Sequence, residues 1–234
     1  MGPGGDEPLK AAALRIFGGL WDSYDGILEH ATLMQDKRWK GWVIGNLGRG
    51  SGTTVLDVGC GTCVLEEMMG GEGTTVGVDL TEGMVRAAQG KHIPRIASLL
   101  RSDGERLPFK ESCFDAVVSC YVVKYCSPEL LVSEMARVLK PGGRLVVYDF
   151  AKPRGRLWPL NALYVYGGVR MVGALLEMVG LSASTTFTEL PGIIAASSWD
   201  ERFRETLVRA GLTPRSEKVL SGGVAVGFVA DKRA

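Results

Sequence analysis

Three aspartates, 22 and 24 residues apart, each stand beside turn-forming residues: Asp57 in Asp57-Val-Gly59-Cys-Gly61-Thr62-Cys63, Asp79 in Thr75-Val-Gly-Val-Asp79, and Asp103 in Arg101-Ser-Asp103-Gly104. Glycines between a strand and a helix let the backbone turn sharply and approach a ligand closely. An acid about 20 residues further on, at the end of a second strand, suits the two hydroxyls of a ribose, and Asp79 has that place. A dinucleotide fingerprint would need a small residue three positions after the second glycine, where this chain has Val64. Asp57 would repel a pyrophosphate and attract a cationic amino group. The charges therefore favour an aminoacyl nucleoside over a dinucleotide, against the plain alternative of a surface turn. Asp103 is placed to accept a hydrogen bond from an exocyclic amine, with the Gly104 N–H beside it, although this turn is common by itself.

The elements around these residues alternate. Short apolar runs predict strands at 54–58, 75–78, 98–101, 116–119 and 144–150. Leu65, Met68 and Met69 share one helical face, as do Met84, Val85 and Ala88, with Thr81 as the N-cap of the second helix. Ser127-Pro128-Glu129 starts a third helix, predicted to run to Leu139 and to stop at Pro141-Gly-Gly143. Such alternation implies an α/β fold, a parallel sheet with helices on both faces. Residues 9–47 read as helices with aromatic punctuation and residues 157–210 as helix and loop. Two strands around Ser221-Gly-Gly223 close the chain.

The 234 residues allow one substantial core, so the chain is read as a single domain: a helical lid (1–47), a ligand-binding core (48–150), a helical cap (151–212) and a hairpin (213–234). A net charge of +1 gives no field for a polyanion, so no nucleic-acid partner is expected. No apolar run reaches the roughly 20 residues of a membrane span. The start lacks a basic, then apolar, leader. With five cysteines (Cys60, Cys63, Cys113, Cys120, Cys126), this points to reduced thiols in a cytoplasmic protein. His30 and His92 are far apart in sequence, so no metal set is expected. Cys60 and Cys63 read as loop packing rather than a redox or zinc pair.

Five segments in order, Leu56-Asp-Val-Gly-Cys-Gly61, Gly77-Val-Asp79, Ser102-Asp-Gly-Glu-Arg-Leu-Pro-Phe109, Phe114-Asp-Ala-Val-Val118 and Arg137-Val-Leu-Lys-Pro-Gly-Gly-Arg-Leu145, resemble the motifs of class I S-adenosylmethionine-dependent methyltransferases. The resemblance implies a Rossmann-like sheet of seven strands with the last reversed, and S-adenosylmethionine as cofactor. By position it assigns Asp57, Gly59 and Gly61 to the methionine end, with Thr62 in the same turn. Asp79 falls to the ribose, Leu80 and Met84 to the adenine face, Asp103 and Gly104 to its edge. Cys63 stands where the family has a third glycine, which predicts a slightly wider loop. Tyr24 is either part of a closing lid or aromatic core, and Cys120 either touches the cofactor or packs.

The flanks, Trp21-Asp-Ser-Tyr24-Asp25, Lys37-Arg38-Trp39-Lys40, Tyr148-Asp-Phe-Ala-Lys-Pro153 and Leu220-Ser-Gly-Gly-Val-Ala-Val226, resemble the ubiquinone/menaquinone biosynthesis C-methyltransferases. That implies methylation of a ring carbon of a prenylated quinol, a lipophilic small molecule. Where that family carries an Arg-Asn pair, this chain has Lys124 and Tyr125, so Lys124 is the candidate for positioning a water or stabilising a phenolate. The apolar stretch 152–181 is expected to roof the crevice together with the N-terminal helices. Lys152, Arg154 and Arg156 before Leu157-Trp-Pro-Leu160 suit either an anionic bilayer surface or an ordinary basic turn. A homodimer is left open. The alternatives are a methyltransferase of another small molecule, or a cofactor-binding RNA-associated or regulatory protein.

Overall fold

The computed structural model describes residues 7–18, 21, 24–48, 50, 52–70, 73–154, 158–169, 171, 174 and 184–234, with backbone alone at 7, 30, 31 and 184–188. Three helices come first, α1 (Glu7–Phe17), α2 (Tyr24–Ala31) and α3 (Asp36–Asn46). The alternating part follows: β1 (Thr54–Val58), α4 (Val64–Met69), β2 (Thr74–Asp79), α5 (Glu82–Gly90), β3 (Ile96–Arg101), β4 (Phe114–Cys120), a 3-10 turn (Val123–Tyr125), α6 (Pro128–Val138) and β5 (Leu139–Phe150). Then come α7 (Trp158–Ala162) with a π-helical continuation (Leu163–Gly168), α8 (Ser184–Ala196), α9 (Phe203–Arg209), β6 (Leu212–Leu220) and β7 (Ala225–Lys232).

The seven strands form one sheet in the order β3-β2-β1-β4-β5-β7-β6. The first five run parallel, and β7 is antiparallel to both β5 and β6. The mostly parallel sheet expected from the alternation is therefore present. Its strands alternate inward residues between two apolar layers, as a sheet covered on both faces requires. Leu56, Val58, Val117 and Val147 meet Leu131 and Met135 of α6 and Phe203 and Leu207 of α9. Val55, Val118, Val146 and Tyr148 meet Trp39 and Val43 of α3 and Leu65 and Met69 of α4. Thus α9, inside the stretch read as a cap, packs as a layer of the main core.

Some local expectations are corrected. Helix α6 ends at Val138, and β5 begins at Leu139, five residues earlier than predicted. Phe114 pairs with Leu139 but Ala116 with Arg144, so Pro141-Gly-Gly bulges within the strand. Gly143 is needed there, because a Cβ would sit 2.9 Å from the Asp115 carbonyl oxygen. Thr81 and Ser127 do occupy N-cap positions, yet neither side chain caps its helix. The Thr81 hydroxyl instead donates to the stronger acceptor Asp79, at 2.7 Å.

Strand order reverses between β1 and β4, which opens a crevice beyond their carboxyl ends, the place where ligands bind in such sheets. Helix α1 lies over it, packing Ala12, Ala13 and Ile16 on Tyr125, Val169 and Ile193.

Candidate active site

Two adjoining cavities occupy that crevice, of about 100 Å³ and about 40 Å³. They share Tyr24, Gly59, Gly61, Cys120 and Tyr121 as walls. Leu80, Met84, Asp79, Asp103 and Gly104 line the larger one, Asp57 and Thr62 the smaller. The structure thus brings every predicted cofactor residue to one crevice. A ligand pocket encloses roughly 300–1,000 Å³; these two cavities are smaller, and each is partly open to solvent.

The glycine loop holds its shape through left-handed residues. Gly59 has φ +79°, and a Cβ there would lie 2.1 Å from a Val122 methyl carbon, so both backbone and packing demand glycine. Gly61 has φ +54° and donates its N–H to Asp79 at 3.0 Å. Cys63 takes the left-handed conformation too, at φ 63°. Cys63 thus adopts the backbone a glycine would have, at a cost of roughly 1–2 kcal/mol, while its buried side chain packs with Cys60 and Ala88.

Asp79 is fastened at both oxygens. One accepts from Gly61, the other from the N–H and hydroxyl of Thr81 at 2.8 and 2.7 Å. Burial pushes its carboxyl above the usual range, and those donors oppose the shift. Asp103 accepts from Lys10 of α1 at 2.7 Å and from the Glu105 N–H at 3.0 Å. Lys10 also reaches Glu105, so α1 is latched to the adenine-edge position assigned above. Gly104 is tightly packed, since a Cβ would lie 2.8 Å from Val58 and 2.9 Å from Leu131. Helix α2 is tied down at the other end: Thr62 donates to Asp25 at 2.5 Å, and Lys91 bridges Asp25 and Glu67 at 2.9 and 2.8 Å. Tyr24 stands between these ties, its ring edge-on to Phe17 at 5.7 Å.

Asp57 is 2% exposed, and its Oδ1 has no hydrogen-bond partner. An unpaired buried acceptor in a cavity wall suits a ligand cation. With Asp79 at the next strand end, this donor and acceptor set fits an aminoacyl nucleoside: an ammonium at Asp57, ribose hydroxyls at Asp79 and an amine at Asp103.

Lys124 lies apart from both cavities and is 2% exposed. Its ammonium donates to Asp149 and to the Tyr121 carbonyl, both at 2.7 Å, and stands 4.5 Å from the Tyr125 ring centre. Burial pulls the Lys124 ammonium down and pushes the Asp149 carboxyl up, and each opposes the other's shift. The proton-handling role expected at the acceptor is corrected accordingly: the group is spent on an internal ion pair. That pair holds the turn after β4, where Tyr121 sits at φ 66° and, with Val122, Tyr125 and Cys126, forms cavity wall. Cys120 ends β4 in both walls, and burial raises its thiol well above the usual range.

The expected roof is present in its N-terminal part, while of the stretch 152–181 residues 155–157, 170, 172, 173 and 175–181 lie outside the described residues. Among the described residues, α1 (Lys10, Ala13, Phe17) and Tyr24 cover the larger cavity, and none of 158–171 lines it. Trp158, Leu160, Leu163 and Met171 are 57–70% exposed, while Val165 and Val169, four apart, face inward. Arg156, Leu157 and the His30 side chain fall outside the described residues. His92 is exposed, its Nδ1 2.8 Å from the Gly90 carbonyl oxygen.

Several wall residues were not read from the sequence, Lys10, Phe17, Tyr121 and Lys40, nor was Glu66, buried behind Asp57. Lys40 is paired with Asp36 at 2.5 Å, and Asp36 also accepts from the Tyr121 hydroxyl at 2.7 Å. The i,i+4 spacing of Asp36 and Lys40 gave a signal for the pair, but not for its burial.

Comparison with known proteins agrees with this geometry. Residues 56–147 match a family described as a methyltransferase domain. A demethylmenaquinone methyltransferase of Mycolicibacterium paratuberculosis is 34% identical over 145 residues, 61% of each chain. The chain therefore spans about three fifths of the length of that relative. Over 94% of the chain and 89% of the relative, it is 26% identical to the ubiquinone/menaquinone biosynthesis C-methyltransferase UbiE of Marinomonas sp.. Among solved structures, a geranyl diphosphate methyltransferase in complex with SAM shares the fold with a TM-score of 0.56 and 16% identity, covering 84% of this chain and 85% of that one.

Proposed function

We infer that this chain, a methyltransferase by its matched domain and S-adenosylmethionine-dependent by its fold, C-methylates the ring of a prenylated quinol. The observation that carries the cofactor assignment is the row of carboxylates, Asp57, Asp79 and Asp103, around one crevice at the strand-order reversal. The relatives named for quinone methylation support the acceptor class, as does the apolar and aromatic wall of Phe17, Tyr24, Tyr121, Val122 and Tyr125.

Bound there, the cofactor would supply a methyl group on a sulfonium, ready for in-line displacement. The chain's contribution is alignment, which removes much of the entropic barrier. Asp57 holds the ammonium, Gly59 and Gly61 let the backbone come close, and Thr62 fixes α2 to the loop. Asp79 fixes the ribose; Leu80, Met84, Asp103 and Gly104 take the adenine. Tyr24 and Cys120 close the space where donor and acceptor meet, and closure of α1 excludes water. Lys124 acts as a positioning residue through Asp149 and the turn after β4. No Arg-Asn pair stands here to take the acceptor proton, and Lys124 is bound to Asp149, which is the observation that favours a second reading, methylation of another small molecule.

Incubation of the protein with lipid extract and labelled S-adenosylmethionine, read by mass spectrometry, is expected to label a quinone. Label confined to a polar small molecule would refute the quinol and leave the cofactor assignment standing.

The segmentation into lid, core, cap and hairpin, as one methyltransferase domain, belongs to the same proposal, as does a cytoplasmic location. Among the described residues no helix is long and apolar enough to cross a membrane. Trp158, Leu160 and Leu163 are exposed on α7 and its continuation and make this face of the protein apolar, while Lys152 donates to Ser198 and Arg154 pairs with Asp200 and Glu217. We propose that this face meets an anionic membrane surface in which a prenyl tail resides. Co-sedimentation with anionic vesicles should fall for Trp158→Ala. A dimer that forms without lipid and is lost in that variant would assign the face to a second copy instead.

A further inference from the structure

We propose that Glu66 holds one proton with Asp57, and that the primary ammonium of the bound cofactor takes that proton's place, so that binding releases a proton to solvent. The inference rests on the cofactor reading above and names a residue outside its motifs. Glu66 lies in the first turn of α4, is 1% exposed, and neither of its oxygens has a hydrogen-bond partner assigned. Asp57 faces it from β1, within hydrogen-bonding reach, is 2% exposed, and its Oδ1 meets no other donor.

The charged and titratable groups facing the pair are few. Asp57 is faced by Glu66, by Cys60 and Cys63 of the loop, by Cys120 of β4 and by Lys40 of α3; Glu66 is faced by Asp57, Cys120, Lys40 and Arg95. Lys40 is committed to Asp36 at 2.5 Å, and Arg95 to the Gly70 carbonyl and the Thr75 hydroxyl. Both cations oppose the upward push, Lys40 on both acids and Arg95 on Glu66, but neither donates a hydrogen bond to the pair, and burial outweighs them. Two carboxylates side by side in a water-poor interior do not both ionise, as in any closely spaced acid pair. Burial pushes both acids up; the Glu66 carboxylate pushes Asp57 further up, whereas the contact with Asp57 lowers Glu66, the pattern of one proton held on the Asp57 side and donated to Glu66.

Asp57 is also a wall of the smaller cavity. An ammonium arriving there brings one positive charge. The protonated pair carries a net charge of −1; two carboxylates and one ammonium also sum to −1. The proton can therefore leave with no change in local charge, and two unsatisfied acids gain a charge-assisted donor. Because binding releases a proton, affinity must rise with pH, by up to about tenfold per unit while the pair gives up its proton.

Titration calorimetry in buffers of different ionisation enthalpy tests this on the whole protein. S-adenosylhomocysteine, which keeps the ammonium, should show an observed enthalpy that tracks the buffer, with about one proton released. 5′-Methylthioadenosine, which lacks the amino-acid part, should bind with no buffer dependence. Glu66→Gln should bind S-adenosylhomocysteine with no proton release and a flat pH profile. Should that variant not fold, difference infrared spectra of the unaltered protein should lose a protonated-carboxyl band when S-adenosylhomocysteine binds. Buffer-independent binding of S-adenosylhomocysteine, or equal proton release from Glu66→Gln, overturns the inference and leaves the cofactor reading intact. Absence of binding by S-adenosylhomocysteine and S-adenosylmethionine alike overturns both.

Discussion

Asp79→Ala is expected to weaken S-adenosylmethionine binding by about 1.5–3 kcal/mol, the range for hydrogen bonds to a charged group. That is a loss of roughly 10- to 150-fold in affinity. The carboxylate fastens Gly61 and Thr81, the loop on one side and the start of α5 on the other, and in the proposed role it would also offer acceptors to the ribose. Removing it therefore takes away ligand contacts and loosens the walls that bring them together. Asp79→Asn keeps one acceptor and the shape, so it should lose less. The pH dependence has a definite sign. The ribose contacts need the ionised form, and burial has raised the carboxyl, so this contribution is lost as pH falls through that raised value. Calorimetry on a folded Asp79→Ala protein with unchanged affinity would falsify the ribose assignment.

The second large effect is on stability. Lys124→Met should destabilise the fold by about 3–5 kcal/mol, because it leaves Asp149 buried without its cation. For a chain of this size that lowers the melting temperature by about 6–20 °C. Asp149 also accepts from the Lys124 and Phe150 N–H groups, at 3.1 and 2.7 Å. A compensating change must keep an acceptor while removing the charge, so Lys124→Met combined with Asp149→Asn should recover much of the loss. Thermal melts of the single and double variants decide the matter. A Lys124→Met protein that melts normally but fails to turn over would restore Lys124 to the acceptor site.

These two residues differ in how much of their place could be read from the sequence. The place of Asp79 at the crevice is legible because it is set locally: a strand end, a preceding glycine and a fixed distance from the glycine loop suffice. Lys124 is not, because its role depends on Asp149, 25 positions away on β5, which reaches it only once β4 and β5 pair. Glu66 is hidden for a similar reason. An acid in the first turn of a helix normally complements the dipole from solvent, and only the packing of α3 against α4 removes the water. The apolar residues of 158–171 were recognisable as apolar, but their partition into an outward and an inward set follows from a helical phase set by the neighbouring elements. Lys10 offered no signal, since a single lysine in a terminal helix reads as solvated until α1 is laid across Asp103.

The place of the last strand has a consequence for how the molecule is made. β7 sits between β5 and β6, and the Arg144 side chain of β5 is paired with Asp231 at 2.8 Å. During synthesis β5 is finished at Phe150, but its neighbour on that side begins only at Ala225, 75 positions later. At about 5–20 residues per second the ribosome takes roughly 4–15 s to cover that interval. Throughout it β5 offers an unpaired edge that includes Val146, Val147 and Tyr148, side chains that end fully buried. Such an edge is a template for pairing with another chain. The nascent protein therefore passes through a window in which the sheet half bearing the glycine loop can already be assembled, while its exposed flank depends on dilution or a chaperone for protection.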